Sequence, residues 1–424
     1  MMRHTHSREF LNNYLINRYE TIKNEKIGVY SYEVVSKTVI KPVQTNFIQK
    51  INKLMYLYNK IERIEPENPY IVHWKFPTAR NLQSNKIILR ISGRRSVDYL
   101  EYIRRDQNFR LIYSTQKSVY DEDKEIMYSL FLCYCEEIIG KVYGKFGFIL
   151  SLIDSGHEVD QLNSIIYRKI ESLKKTSVIY LPNESFLQNK RFFPLVELKF
   201  NGDFETSNKV IKSEANNNII DDIYIEMNKT KPEIRKINGL LSSRVERKHY
   251  IRTSAQFFQG LSFISRKQVD ICSIVLKLSS YLDSSMGIIV LDLSKENMFL
   301  IKKNKDIIRC NDKYLINNPQ SILHDAKDYL DISSSSYIFL LVSKADFCIE
   351  SSRIILQRFI YSGEIFNKLG LILSEKNFVC RCLRNIDDKK VIKKINRDFP
   401  EYNIINYLMI AGIGAMDSIL RMDI

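Results

Sequence analysis

The sequence predicts an α+β fold in which two similar halves, each a sheet flanked by helices, form a pseudo-dimer within one chain. Twelve residues at 140–151, GKVYGKFGFILS, return at 363–374 as GEIFNKLGLILS, with the same Gly, Lys, Gly and Ile-Leu-Ser at matching places. After each copy the pattern predicts a shorter helix and then an apolar strand that ends in Gly. This matched order is the stronger observation, because two amphipathic helices of similar composition can resemble each other by chance.

The repeat divides the chain into three predicted regions. Residues 1–202 form a degenerate first half, which we expect to bind a peptide or a partner protein. Residues 203–240 form a linker or crossing segment, because 203–236 is polar, charged and rich in Asn, with a Pro near its end. Residues 241–424 form the second half.

Strands and helices of the first half are predicted from composition and periodicity. Runs rich in β-branched and aromatic residues predict strands at 70–76, 86–92 and 109–115. Apolar residues then recur at helical spacing from about 121 to 153, which predicts a long helix whose final turns are the first copy of the repeat. A helix at 158–173 and a strand at 192–202 complete this half.

The second half repeats this order at greater length. An apolar run, a polar turn and another apolar run in GIIVLDLSKENMFLIKK predict a hairpin. The other predicted elements are helices at 265–281, near 319–330, at 350–374 and at 387–397, and strands at 336–343 and 404–414. Gly363 and Gly370 are two helical turns apart, so they permit the close approach of another helix or of a planar ligand.

Composition indicates a globular protein. The chain of 424 residues is 45% hydrophobic and 11% aromatic, with only 14 Gly and 9 Pro. No run of about twenty apolar residues could cross a bilayer, and the N-terminus lacks the apolar core of a signal peptide, so we expect a cytoplasmic protein without membrane insertion. The seven Cys are sparse and odd in number, which predicts reduced, buried thiols and no metal site.

The charge of the chain favours an anionic partner. The formal net charge is +15, yet the basic residues are scattered and form no arm or stripe of the kind that binds nucleic acid. An acidic peptide is therefore the better expectation, and nucleic acid is disfavoured.

The short motif HYIRTSAQFF at 249–258 carries the most chemistry. Arg252 and Ser254 present a guanidinium and a hydroxyl two residues apart, just before a predicted helix, which is one way to clamp a phosphate. The alternative is a helix N-cap next to a solvated Arg.

Several segments together resemble the FMN-dependent nitroreductase-like family. RTSAQFF resembles the family's R-R-S-x-R-x-F opening, whose Arg and Ser hold the ribityl phosphate, and SSMG at 284–287 is similar to the P-S-x-G segment against the isoalloxazine ring. The helix 360–374 resembles the family's E-A-G-H-x-x-Q-N-L-x-L helix, and YLMIAGIG resembles its terminal strand. The resemblance covers about 245–415 and is closest to the peptide azoline oxidases.

Some residues depart from the family pattern. Gln256 replaces the second Arg, Ser284 replaces the Pro, and Tyr361 and Glu364 replace the Glu and His of E-A-G-H. The Lys-Tyr pair of active azoline oxidases has no match at Lys344 and Phe347, the nearest candidates. The sequence therefore identifies no catalytic base.

The resemblance implies an FMN-dependent oxidoreductase. It implies that FMN is held by residues of the second half: Arg252, Ser254, Gln256, Ser285, Met286, Gly287 and Arg421. Nitroreductase-like proteins are usually intertwined homodimers, so two fused copies would make that dimer within one chain. The first copy would have lost its flavin, because Arg94, Arg95 and Ser96 in GRRSVDY stand too close to Gly140 and are better explained as a charged turn.

The implied substrate is a ribosomally made precursor peptide, whose azoline rings would be oxidised to azoles, with a cyclodehydratase or another peptide-modifying enzyme as partner. Two alternatives stay open. One is a flavin-free scaffold that holds a leader peptide or a partner enzyme, and the other is a flavin-dependent reductase of dehydroamino acids in a lanthipeptide. The chain could act as a pseudo-dimeric monomer or as a homodimer.

Overall fold

The structure is a computed structural model. It describes residues 9–16, 46–59, 61–64, 72–74, 76, 78–79, 84–104, 107–116, 126–169, 176–184, 187, 192–200, 230–236, 265–324, 330–347, 349–413 and 420–421. None of the helices within these ranges is both long and apolar enough to cross a membrane.

Within its described residues, the first half contains three α-helices and eight strands, after a π-helical turn at Asn12–Ile16. The helices are α1 (Asn46–Tyr58), α2 (Glu136–Tyr143) and α3 (Phe146–Lys169). The strands are β1 (Ile61–Ile64), β2 (Val72–Trp74), β3 (Asn85–Ser92), β4 (Ser96–Ile103), β5 (Asn108–Gln116), β6 (Met127–Tyr134), β7 (Ser177–Tyr180) and β8 (Phe193–Phe200).

The second half begins after a short crossing strand, β9 (Ile234–Lys236). Its helices are α4 (Ile271–Leu278), α5 (Tyr314–Asn317), α6 (Ser352–Glu375) and α7 (Asp388–Ile395), with 3-10 turns at Ser279–Tyr281, Pro319–Ile322 and Ile332–Ser334. Its strands are β10 (Met286–Asp292), β11 (Asn297–Lys302), β12 (Ile307–Arg309), β13 (Tyr337–Ser343), β14 (Val379–Leu383) and β15 (Ile404–Gly412), followed by β16 (Leu420–Arg421).

The two halves have the same sheet topology. The first sheet has the order β5-β4-β3-β6-β8-β7 with β9 added at its edge, and the second has the order β12-β11-β10-β13-β15-β14. Every pairing is antiparallel. Each strand of one sheet therefore has a counterpart in the other, which confirms the predicted α+β fold of two related halves.

Each half also extends towards the other. The crossing strand β9 pairs with β7 of the first half, and β16 near the C-terminus pairs with β1 near the N-terminus. Such exchanged strands join the halves as intertwined subunits are joined in a dimer.

Helices α3 and α6 pack against each other at the centre of the molecule, between the two sheets. They cross where Gly156 faces Gly363. A methyl group on Gly156 would overlap the carbonyl oxygen of Ile360, and one on Gly363 would overlap the carbonyl oxygen of Ile153. The backbones approach so closely that only glycine fits at either position.

This crossing corrects the register of the predicted repeat. The counterpart of Gly363 is Gly156 and not Gly140, which lies in α2 and faces its own helix at Glu136. A methyl group on Gly370 would make only an ordinary contact, 3.6 Å from Met409 Cε. The duplication is real, but the twelve matched letters reflect shared amphipathic composition.

The predicted helix from 121 to 153 is wrong over its first part. Residues 127–134 form β6, the strand between β3 and β8. Because β6 is buried on both faces, its side chains lack the alternation of a half-exposed strand, and such a run cannot be distinguished from a buried helix by periodicity. Gly144, at φ 55°, ends α2 and separates it from α3, which is continuous to Lys169 and so includes most of the segment predicted as a separate helix at 158–173.

Other predictions agree with the structure within a few residues. The hairpin is β10–β11, the strands at 86–92, 109–115, 192–202, 336–343 and 404–414 are present, and the long helix at 350–374 is α6. Strand β4 was missed. The predicted helix near 319–330 begins as a 3-10 turn, Pro319–Ile322, and the linker contains β9.

Candidate functional site

The predicted ring-binding segment Ser285–Gly287 lies where β10 begins. The amide and the hydroxyl of Ser285 both donate to Asp283 Oδ1 at 2.8 Å, and the amide of Lys344 donates to the carbonyl oxygen of Ser285 at 3.0 Å. Burial alone would raise the pKa of Asp283, but these hydrogen bonds and the nearby charge of Arg358 outweigh it and lower that pKa. Asp283 is therefore an ionised carboxylate.

Arg358 on α6 completes this corner of the second half. Its buried guanidinium donates to Lys344 O at 2.7 Å and forms a two-point ion pair with Glu350, at 2.8 and 2.9 Å. Among the described residues, Arg358 Nε, Ser343 Oγ and Ser351 Oγ are buried without a hydrogen-bond partner. We call Asp283, Ser285, Ser343, Lys344, Ser351 and Arg358 the Ser285 corner. Its unpartnered atoms suit a further polar group.

Met286 and Gly287 are packed closely against other parts of the protein. Met286 is fully buried in the central core. A methyl group on Gly287 would come within 2.6 Å of Leu300 Cδ1 and 2.9 Å of the Tyr402 hydroxyl on the other face of the sheet. These two residues could therefore contact a ligand through their main chain.

The equivalent position in the first half is closed by side chains. The first residue pairs of β3–β6 and β10–β13 are Asn85–Tyr134 and Met286–Ser343, so Ser84 stands where Ser285 stands. Ser84 donates to Asp154 Oδ2 at 2.9 Å.

A buried polar network surrounds Ser84. Tyr58 donates to Glu158 Oε2 at 2.6 Å, Asn85 donates to Glu158 Oε1 at 3.3 Å, and Arg104 lies 3.7 Å from Glu158 Oε2. We call Tyr58, Ser84, Asn85, Arg104, Asp154 and Glu158 the Glu158 network. The position in the first half is therefore surrounded by hydrogen-bonded side chains from several elements.

Both carboxyl groups of this network have raised pKa values. Burial raises the pKa of Glu158 despite the opposing charge of Arg104, and it raises the pKa of Asp154 to about 8. Asp154 is therefore protonated in the folded protein at neutral pH.

Asp154→Asn tests this assignment. A carboxyl group whose pKa rises from 3.8 to about 8 on folding binds its proton more tightly in the folded state. Its contribution to the free energy of unfolding is therefore complete below about pH 4 and falls as the pH rises to about 8, by on the order of 5 kcal/mol. We expect denaturant unfolding from pH 5 to 9 to show a smaller decline in Asp154→Asn than in the parent. The exposed Asp306→Asn should retain the full decline, and an equal decline in Asp154→Asn would contradict the assignment.

A second ionisable cluster lies along the α3–α6 interface. Lys368 Nζ contacts Asp160 Oδ1 of the other half, and Asn367 Nδ2 donates to Asp160 Oδ2 at 2.8 Å. The Lys368 amine also lies 5.0 Å from the ring centroid of Tyr281, which belongs to the 3-10 turn before the Ser285 corner. Burial lowers the pKa of Lys368 to about 7. The contact with Asp160 acts in the opposite direction, because a carboxylate favours the charged form of the amine.

The cluster is asymmetric between the two halves. Aligning Gly156 with Gly363 places Gln161 opposite Lys368 in the alignment and Asp160 opposite Asn367. The charged amine is thus found in one half only. A buried ion pair is a poor source of stability compared with apolar packing, so its presence at this interface favours a functional role.

Sequence reasoning did not identify Asp160 as the partner of Lys368. A signal for this helix was present, because DSGHEVDQL at 154–162 keeps the Gly, the His and a Leu of the E-A-G-H-x-x-Q-N-L pattern quoted above and has an acid in first place. His157 in this segment lies 3.2 Å from the Tyr407 hydroxyl in the second half.

The other predicted site residues belong to other elements or fall outside the described residues. Arg252, Ser254 and Gln256 fall outside the described residues. Arg421 lies in β16, opposite Arg63 in the three-stranded sheet of β1, β2 and β16. Arg94 and Arg95 form the exposed turn between β3 and β4, as predicted.

Comparison with known proteins identifies the fold. No family model and no curated protein matches the chain. Among solved structures, the chain is similar to a candidate nitroreductase from Anabaena variabilis, with a TM-score of 0.63 and 9% identity over 96% of this chain and 99% of that one.

Two further neighbours match weakly. A candidate nitroreductase from Ralstonia eutropha has a TM-score of 0.28 and 7% identity over 37% of this chain and 79% of that one. A nitroreductase-like protein from Streptococcus mutans has a TM-score of 0.24 and 10% identity over 39% of this chain and 87% of that one.

The match to the Anabaena variabilis protein extends over nearly the full length of both chains. It shows that this protein has the nitroreductase-like fold, with its two halves in a single polypeptide.

Proposed function

We propose that the protein is an FMN-dependent oxidoreductase with one flavin per chain, located at the Ser285 corner. The observation that carries this proposal is the difference between two equivalent positions. In the first half, side chains of the Glu158 network gather around Ser84 and hydrogen-bond to one another, whereas in the second half the hydroxyl of Ser285 is bonded to Asp283 within its own turn. Both positions contain buried polar atoms that have no partner among the described residues.

Different residues of the second half would bind the phosphate and the ring of the cofactor. Arg252 and Ser254 would hold the phosphate, with Gln256 and Arg421 as further polar contacts. Ser285, Met286 and Gly287 would support the ring through the Ser285 hydroxyl and the main chain. FMN, when bound, supplies an acceptor for a hydride.

Lys368 would move the accompanying proton. With a pKa of about 7, a large share of the amine is neutral at physiological pH and able to accept a proton. Asp160 would then stabilise the ammonium form, and the Tyr281 ring, 5.0 Å from the amine, would add a cation–π contact.

The proposed substrate is a ribosomally made peptide that contains a thiazoline or oxazoline ring. Oxidation to the azole would remove two hydrogens. One would leave as a hydride, for which bound FMN would supply the acceptor, and the other would leave as a proton that Lys368 would accept. Turnover would also need an external electron acceptor. The net charge of +15 suits a peptide with acidic segments.

A second candidate function is a flavin-free scaffold that binds a peptide or a partner enzyme. The packing of Met286 and Gly287 favours this function. The Met286 side chain is buried in the core, and other side chains occupy the space beside Gly287, so neither residue offers a side chain to a flavin. The mass of the peptide after reaction would distinguish a dehydroamino-acid reductase from both candidates, because reduction would add two hydrogens.

FMN titration of the purified protein tests the proposal. We expect flavin absorption bands to saturate at one FMN per chain and to be lost in Arg252→Ala/Ser254→Ala. The double substitution Arg94→Ala/Ser96→Ala is a matched control, since it removes the same R-x-S spacing from an exposed turn of the first half and should leave binding unchanged. A protein that takes up no FMN in excess would support the scaffold, and two FMN per chain would contradict the closure of the first half.

A further inference from the structure

The edge strand β5 differs from its counterpart in the second half. It spans nine residues, Asn108–Gln116, and pairs only with β4 among the described residues. Strand β12, in the same position of the other sheet, spans three residues. The edge is therefore long in the first half alone.

This edge has few of the features that protect sheet edges from pairing. Apart from an irregularity in the pairing with β4 near Leu111, β5 contains no Pro, no Lys and no acidic residue. Leu111 and Ile112 are half-buried, and Tyr113 is 37% exposed. A long edge with exposed apolar side chains is a template for another strand.

Charge decides which strand would pair there. Arg110 lies on β5, with its Nε buried and unpartnered among the described residues, and the exposed Arg94 and Arg95 lie in the turn beside the other end of β5. Among the described residues, two acids lie on the neighbouring strand β4: Glu101, opposite Arg110, is paired with Lys86 at 2.8 Å, and Asp98 accepts a hydrogen bond from Ser114. Two copies of this basic edge would repel each other, so an acidic segment suits it better than a second copy of the chain.

We infer that β5 is the docking edge for an acidic, extended segment of the peptide substrate, which adds to the first sheet as a further strand. The peptide nature of the substrate rests on the proposed function. In this arrangement the first half holds the peptide by its backbone, with alternate side chains on each face, and the second half carries out the chemistry.

The test uses a fluorescein-labelled ten-residue peptide of alternating Glu and Val, with fluorescence anisotropy as the readout. We expect saturable binding that weakens with salt, as charge pairing at an exposed edge should. Two further versions carry methyl groups on alternate backbone nitrogens, one in each frame. The frame whose N–H groups face β5 should lose at least about tenfold in affinity, because a methylated nitrogen cannot donate.

Arg110→Gln should weaken binding of the unmodified peptide severalfold. Arg309→Gln on β12 is the matched control, since it removes an exposed Arg from the equivalent edge, and should bind like the parent. Equal affinities for all three peptides, or for Arg110→Gln and the parent, would overturn the inference, as would self-association of the chain that blocks the edge. FMN titration of the same samples tests the oxidoreductase proposal separately from peptide docking at β5. A protein that binds the peptide but no flavin would refute only the oxidoreductase proposal.

Discussion

Gly363→Ala is expected to destabilise the protein by at least about 4 kcal/mol, or to prevent folding of the intact chain. The added methyl group would overlap the carbonyl oxygen of Ile153 and approach the amide nitrogen of His157 to 2.9 Å. These are backbone atoms of a 24-residue helix, so they cannot give way as a flexible side chain can. The two helices would have to separate along their whole contact. Denaturant unfolding measures the loss, and Gly156→Ala should behave alike.

Gly370→Ala on the same helix is the matched control. Its methyl group would lie 3.6 Å from Met409 Cε, an ordinary contact. Alanine has a higher helix propensity than glycine, so this variant should gain up to about 1 kcal/mol. If Gly363→Ala and Gly370→Ala were equally stable, the close crossing of α3 and α6 would be wrong.

Lys368→Met is expected to slow oxidation of a synthetic peptide with one thiazoline ring by about 10² to 10⁴-fold, because the group that accepts the proton is removed. The reaction is measured by mass spectrometry as the loss of two hydrogens. In the parent, the rate should rise with pH through about 7 as the amine becomes neutral. In the variant this rise should be absent.

A structural effect of the same substitution can be separated from the chemical one. Methionine leaves Asp160 without its cation, so Lys368→Met/Asp160→Asn restores neutrality at the interface and should fold like the parent while remaining slow. Lys277→Met on the exposed face of α4 is the control for loss of a positive charge. A fast double variant whose rate still rises through pH 7 would exclude Lys368 as the proton acceptor.

Local patterns predicted a large part of the fold. The hairpin β10–β11 was readable because a polar turn separates two apolar runs, and α6 was readable because its periodicity extends over many turns. Strand β6 was not, since burial on both faces removes the alternation that marks a strand. The motif containing Ser285 was found from its resemblance to a family, and the structure places it at a strand start lined with polar atoms.

The ion pair of Lys368 with Asp160 could not be predicted, because its members lie 208 positions apart and neither has a distinctive neighbour in sequence. The same holds for the Glu158 network, which collects residues from α1, the start of β3, the turn after β4, and α3. Its members are ordinary polar residues when taken one by one, and only their burial together closes the first half.

By itself, the sequence determined that this chain is a duplicated α+β protein with a conspicuous R-x-S motif and a related second half, because periodicity, turn residues and motifs act over short stretches. Tertiary structure alone decided which glycines meet, which polar side chains gather where each central strand begins and which amine is buried beside a carboxylate. These outcomes depend on packing between distant segments, and the free energy of burying a charge or a methyl group is set by neighbours that the local sequence does not name.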